Sequence, residues 1–299
     1  MRDTQHGIGS DTGLPGPGAS NRGKKLPELV WSGAVQLALM AGAIFMVIPF
    51  LWMISTSFKP PTEVLSWPPN LVPKEPTASN YVGLFGEAPF VRFFLNSVFI
   101  STVSTVAILA TSVVGGFVFG KYRFPGRDFL FLVLLATAIV PFESYIIPLY
   151  ARMVRWHWIN TYQGIIAPYL IMSFGIFLMR QHINSTISDE LLDAARIDGC
   201  SEWRILTSIV LPLSRSAGGA LGIFAFTQAW IAFMWPLLIA NVRELFNMEL
   251  GLTMFQFRFS TDYGLLMAGS VLSVLPMIIV FVFLRRQIIE SIALTGLKS

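Results

Sequence analysis

The sequence predicts an all-α membrane protein with six transmembrane helices and both termini cytoplasmic. Three observations carry this. Hydrophobic residues make up 54% of the 299 and charged residues only 13%, against roughly a quarter charged in an average soluble domain. Apolar runs of about 20 residues, the length a helix needs to cross a bilayer, recur along the chain. Lys and Arg are unevenly shared: with the N-terminus inside, 14 fall on inner segments and 7 on outer ones, the bias of cytoplasmic loops. A helix satisfies its own backbone where lipid cannot, and none of the runs alternates as a barrel strand does.

Taken in order, residues 1–26 ("MRDTQHGIGSDTGLPGPGASNRGKKL") are rich in Gly, Pro, Ser and Asp and predict a disordered cytoplasmic tail. They lack the apolar core of a signal peptide, so the first span, Leu29–Ser55, is expected to remain as an anchor. The prolines of "SFKPPTEVLSWPPNLVPKEP" forbid a long helix next, and residues 27–91 read as one helix plus an extracytoplasmic loop. The second span, Leu95–Gly120, meets the third, Phe129–Tyr150, through "KYRFPGRD", where Pro125-Gly126 signals a turn. Trp156 and Trp158 suit the outer interface before the fourth span, Tyr162–Met179. Residues 181–216 form a cytoplasmic stretch far longer than a helix connection requires. The fifth span, Gly218–Ala240, an outer loop and the sixth span, Leu265–Leu284, complete a core of 92–285, and 286–299 is a cytoplasmic tail.

Catalytic signatures are thin. "GGFVFGKY" (Gly115–Tyr122) satisfies Gly-x4-Gly-Lys but has Tyr where a phosphate-binding loop needs Ser or Thr. Gly116 and Gly120 better suit close helix packing. His6, His157 and His182 are scattered without metal-ligand spacing, and no nucleophile–base pair is evident. The chain is therefore expected to be no enzyme and to hold no metal or cofactor. No basic patch is interleaved with aromatics, so nucleic acid is not an expected partner. The single Cys200 excludes an intramolecular disulfide framework.

The informative stretch is "DELLDAARIDGCSEWRILTSIVLPL". Ser188 can cap a helix whose first turn carries Asp189 and Glu190. Asp189 and Asp193 share a face, and Leu191, Leu192, Ala194, Ala195 and Ile197 supply small and apolar groups. Gly199 suits the left-handed residue that closes a helix. Ser201 can cap a second helix, which Pro212 interrupts. The small Ala pair would let another surface approach, and the acids could engage a basic partner. An ordinary solvated loop folded as two helices fits the same pattern.

These residues carry a resemblance. "LLDAARIDGCSEWRILTSIVLPLS" resembles the Glu-Ala-Ala (EAA) loop of the membrane subunits of bacterial ABC importers: Glu-Ala-Ala, three residues, Gly, about nine residues, Ile-x-Leu-Pro. Ala194, Ala195, Gly199, Ile209, Leu211 and Pro212 fall on it, and Asp193 takes the Glu position with a shorter reach. "PTASNYVGLF", "FFLNSVFIS", "GKYRFPGRD", "NTYQGIIAPY", "FTQAWIAFMWPLLI" and "IALTGLKS" follow in the order found in carbohydrate-importer permeases of the maltose type. Ile231, Ala293 and Ser299 depart from that pattern. The resemblance implies a type I ABC importer permease fold in the bacterial cytoplasmic (inner) membrane. It implies as partners a second permease subunit, two ATPase subunits that bind ATP and Mg, and an extracytoplasmic sugar-binding protein. The loop Asp193–Pro212 would then dock on an ATPase, and the C-terminal tail could reach between the ATPases.

For the solute path, Thr227 and Gln228 are polar residues inside the fifth span, where such side chains face protein or water. Gln228 lies 12 residues beyond Ser216, about 18 Å along a helix and near the midplane. Trp230 and Trp235 lie above it, and aromatic rings can stack on sugars. A hydrogen bond to a neighbouring helix and packing against lipid is the other reading of this group. Glu143 is the only acid within a predicted span; a straight helix from Arg127 would carry it about 24 Å to the outer boundary. That position suits structure or gating better than the proton relay of a secondary transporter. An importer of a non-sugar solute also remains compatible with the pattern.

Overall fold

The computed structural model describes the backbone of residues 25–256 and 261–296, and the side chains of 31–256 and 261–285. The expected tail 1–26 thus lies almost wholly outside the described residues, as do the side chains of 286–299. Two units are separable, Met1–Leu51 and Trp52–Ser299. The described part of the first lies on a single apolar helix: α1 runs Lys25–Ser57 with Pro49 inside it, and the side chains from Trp31 to Leu51 are exposed nearly all round, as suits a helix solvated by lipid.

In the second unit, the outer segment folds into two short helices, α2 (Pro61–Val64) and α3 (Ser79–Glu87). The Glu63 carboxylate accepts the Lys74 N–H at 3.0 and 3.1 Å. Asn80 donates to the carbonyls of Ser57 and Lys59 at 2.9 and 2.8 Å. There follow α4 (Phe90–Lys121), α5 (Arg127–Ile139), α6 (Phe142–Arg155), α7 (Tyr162–Ile166), α8 (Ser173–Thr186), α9 (Asp189–Ile197), α10 (Glu202–Ile205), α11 (Leu211–Leu213), α12 (Arg215–Trp230), α13 (Met234–Ile239), α14 (Met248–Leu252) and α15 (Tyr263–Gly296). Among the described residues no strand forms, only an isolated bridge between Gln256 and Thr261.

Three helices are long and apolar enough to cross a membrane alone: Trp31–Ser57, Phe90–Lys121 and Tyr263–Arg285. Six spans are reached only if three bent pairs count as one each: α5–α6 (99°), Tyr162–Tyr169 with α8 (45°) and Glu202–Leu213 with α12 (79°). The straight spans expected at Phe129–Tyr150, Tyr162–Met179 and Gly218–Ala240 are therefore corrected. Pro141 cannot donate to the preceding turn, and Val140 is already extended. The extended Met172 opens the second break, and α12 stops at Trp230 before the separate α13.

The long α4 is the centre of the packing. Its buried residues mix apolar side chains such as Ile108 and Phe117 with the small Ser97, Ser101, Ser104, Ser112 and Gly116. A Cβ at Gly116 would lie 2.7 Å from the Cβ of Met179, one at Gly120 2.8 Å from Asn184 Oδ1, and one at Gly175 2.4 Å from Ser112 Oγ. These contacts let α4 and α8 approach closely, as small residues do in membranes. One apolar cluster joins Ile108 and Phe117 of α4 to Met179, Ile183, Leu192 and Val210. A second, at the other end, joins Phe90 and Phe93 to Trp230, Met248, Leu252 and Leu265.

Candidate functional site

The stretch 188–213 folds as its residues dictate. Ser188 Oγ accepts the Leu191 N–H at 3.3 Å and starts α9. Gly199 follows the helix with φ of +79°, and the Gly199 and Cys200 N–H groups donate back to Arg196 and Ala195. Ser201 Oγ then accepts the Arg204 N–H at 3.3 Å and starts α10. A π turn, Leu206–Val210, carries the chain into α11. A 79° bend after Leu213 brings it to α12.

One side of this hairpin is fastened to its own chain. Leu192, Ala195, Ile205 and Val210 are buried with Ile183 and Ile187. Ala195 is therefore not open to another surface; the small side chain is used internally, and Ala194 alone of the pair is exposed. The two acids expected to act together diverge. Lys121 donates to Asp189 at 2.8 Å and to the Ile187 carbonyl at 2.6 Å. Asp193 pairs with Arg196 at 2.8 Å, which also reaches Glu202 at 2.8 Å. The Tyr122 hydroxyl hydrogen-bonds the same Glu202. The end of α4 is thereby linked to both helices of the hairpin.

The opposite side is open. Ile197 is 86% and Trp203 71% exposed; Gly199, between them in sequence, is exposed too, as are Asp193 and Ala194 just before them. Leu211 is exposed and Pro212 partly so. The sequence reading assigned no surface role to Trp203. An indole outside a bilayer span, in an otherwise charged helix, was the available signal.

The hydrogen bond from Lys121 holds the Asp189 carboxyl below its ordinary range. Arg196, then Tyr122, does the same for Glu202. A carboxylate whose folded pKa is depressed contributes stability that is present above its unfolded pKa and lost as pH falls through the folded value. Hairpin amides Leu191–Ile205 should keep constant hydrogen-exchange protection, corrected for intrinsic rate, from neutral pH to about 5. Protection should fall only below the ordinary carboxylate values, about 3.9 and 4.3. Loss of protection between pH 6 and 8 would contradict the pairing.

The proposed path residues are not brought together. Trp230 is 0% and Trp235 1% exposed; their indoles donate to the Ser273 carbonyl at 3.0 Å and the Gly164 carbonyl at 2.9 Å. Neither ring offers a face to a solute, because each fills a core cluster. Gln228 is exposed and Thr227 partly so, on the uninterrupted α12. Glu143 is exposed in the first turn of α6, beyond the 99° bend. A straight-helix rise therefore does not give its depth.

The segment read as an outer loop, 241–264, is stapled to the helices over its stretch 241–256. Asn96, on α4, donates to the carbonyls of Glu244 and Phe246 at 2.8 and 2.9 Å and accepts from the Tyr162 hydroxyl at 2.7 Å. Asn247, buried, donates to the Ala232 carbonyl at 2.6 Å and caps α14 through the Leu250 N–H at 3.1 Å. Ser97 Oγ accepts the Met248 N–H at 2.7 Å. These bonds hold Glu249 against Ser273 of α15, whose hydroxyl lies 3.4 Å from the carboxylate.

The bundle of bent spans closed by a surface hairpin has a solved counterpart. A bacterial ABC transporter involved in import of the acidic polysaccharide alginate contains a chain of the same fold. Its TM-score is 0.78 at 21% identity, over 91% of this chain and 99% of that one. The fold is that of an ABC importer permease. Residues 112–292 match the family described as "Binding-protein-dependent transport system inner membrane component", and the chain belongs to that family of multi-pass membrane proteins. It is 34% identical to the arabinooligosaccharides transport system permease protein AraQ of Halalkalibacterium halodurans, over 92% of this chain and 99% of that one. It is 29% identical to the lactose transport system permease protein LacG of Rhizobium radiobacter, over 89% and 95%. It is 30% identical to the sn-glycerol-3-phosphate transport system permease protein UgpE of Brucella abortus, over 87% and 95%.

Proposed function

We propose that this chain is one permease subunit of an ATP-driven sugar importer, spanning the bacterial inner membrane six times with both termini cytoplasmic. It pairs with a second permease subunit, two ATPase subunits that bind ATP and Mg, and an extracytoplasmic sugar-binding protein. The chain itself is non-catalytic. The reading rests most on one observation, the hairpin Asp189–Leu213. Its inner face is locked to α4 and α8, and its outer face leaves Ile197 and Trp203 exposed around the Gly199 turn. A rigid knob with an apolar tip suits docking into a groove of an ATPase, and the link through Lys121 and Tyr122 would carry its movement into α4.

Sugar is favoured as solute by relatives named for arabinooligosaccharide and lactose transport. The relative named for sn-glycerol-3-phosphate transport keeps a phosphorylated polyol as the second reading. Proteoliposomes holding the assembled complex should take up a neutral oligosaccharide only with ATP and binding protein present. Uptake driven by an ion gradient without ATP would instead make this a secondary carrier. Gln228→Leu is expected to lower uptake severalfold with assembly and basal ATP hydrolysis intact; unchanged uptake would remove Gln228 from the path.

A further inference from the structure

We propose, on the reading of this chain as an importer permease, that Glu249 is a fixed negative charge in the translocation path. It passes neutral or cationic solutes and excludes anionic ones, such as uronic acid oligomers and phosphate esters. The position of the residue comes first. The staples through Asn247 and Ser97 fix α14 between α4 and the break after α12. Gly251, on the same turn, brings the backbone so near α4 that an added Cβ would lie 2.3 Å from Phe93. Glu249 therefore stands on a turn whose backbone is held at both sides.

Its depth follows from its partner. Ser273 is ten residues into α15 from Tyr263, about 15 Å along the helix. That is near the middle of a hydrocarbon core about 30 Å thick. Among the described residues no Lys, Arg or His nitrogen lies within 4.0 Å of the carboxylate, and Ser273 is its hydrogen-bond partner. The side chain is only partly buried. A half-open acid at mid-membrane depth is costly against lipid and is stable where it meets water or a polar solute. Glycosyl hydroxyls and ammonium groups can donate to a carboxylate, whereas another carboxylate or a phosphate is repelled. The sugar-facing role assigned from sequence to Trp230 and Trp235 is vacated by their burial, and this acid supplies the polar group at comparable depth.

The test uses thiol chemistry and needs no sugar, so it stands apart from the importer reading, which wild-type uptake of a neutral oligosaccharide checks in parallel. In the full permease–ATPase complex in nanodiscs, with Cys200→Ser, a Thr253→Cys reporter lies four residues beyond Glu249. Thr253 is the residue that closes α14, about one helical turn from Glu249. Reaction rates are measured with a cationic and an anionic methanethiosulfonate, with and without ATP, beside Glu249 and beside Glu249→Gln. At about 6 Å a unit charge should raise the cation-to-anion rate ratio about tenfold over that of Glu249→Gln, and intrinsic reagent differences cancel. An unreactive reporter in every nucleotide state would overturn the proposal. So would equal ratios in the two backgrounds, including equal ratios with a marked loss of complex stability in Glu249→Gln. That last outcome would mean that the carboxylate is paired with a neighbouring subunit's cation.

Discussion

Gly199→Val is expected to reduce binding-protein-stimulated ATP hydrolysis by tenfold or more while the chain still inserts and reaches the membrane in normal amount. The reason is confined to the backbone. Gly199 has φ of +79°, and a Cβ there would meet nothing within 4 Å, so no clash contributes. The left-handed conformation costs an L-residue about 1 to 2 kcal/mol and a β-branched one more; about 1.4 kcal/mol is a factor of ten in population. If the turn relaxes, the Cys200 N–H loses the Ala195 carbonyl, and α9 and α10 reorient with Ile197 and Trp203 on them. The substitutions should therefore rank, with Asn tolerated best, Ala intermediate and Val worst. A series in which Ala and Val both behave as wild type in the purified complex would detach the turn from coupling.

Gly251 is the second position of large effect, for the opposite reason. Its backbone is ordinary, but a Cβ would stand 2.3 Å from Phe93 Cδ2 and 2.8 Å from Cε2, and Phe93 is itself fully buried beside Phe246. Overpacking by one methyl typically costs about 1 to 3 kcal/mol. Gly251→Ala should lower the thermal stability of the complex, and Gly251→Val should abolish transport. Phe93→Leu alone should be mild, and in combination with Gly251→Ala should restore much of the loss. Wild-type stability of Gly251→Val would show that segment 241–256 is not held against α4 as described.

These two glycines also mark what was legible beforehand. Gly199 could be read from the sequence because its surroundings are local: a Ser cap, two acids, an apolar stripe and then a residue free to turn left-handed. Both caps and the turn stand in the structure as that grammar required. Gly251 could not be read, since its constraint comes from Phe93, more than 150 residues away in the chain. The same holds for the buried Asn96, whose amide satisfies carbonyls of Glu244 and Phe246, and for Asn247, whose amide satisfies that of Ala232. In sequence segment 241–256 looks like any loop between spans. Hydropathy located the three helices long enough to span alone, yet it could not show that the other apolar regions are bent, because a proline such as Pro141 ends one helix while Pro49, Pro148 and Pro276 sit inside others. Trp230 and Trp235 were misread for a related cause: an aromatic in a span suits a solute path, a lipid interface or a core equally until its indole partner is known. Their burial moves them to the core, and Gln228 and Thr227 remain partly or fully exposed on α12.

The proposed coupling role of the hairpin rests on its open face, and Ile197 is the residue to probe. A photoreactive benzoylphenylalanine at Ile197, irradiated in intact cells that express the whole transporter, should capture one protein. Mass spectrometry of the adduct should identify it as the ATPase subunit, with a lower yield in the Gly199→Val background. Adducts only to lipid, or equal capture of unrelated cytoplasmic proteins, would contradict docking at this surface.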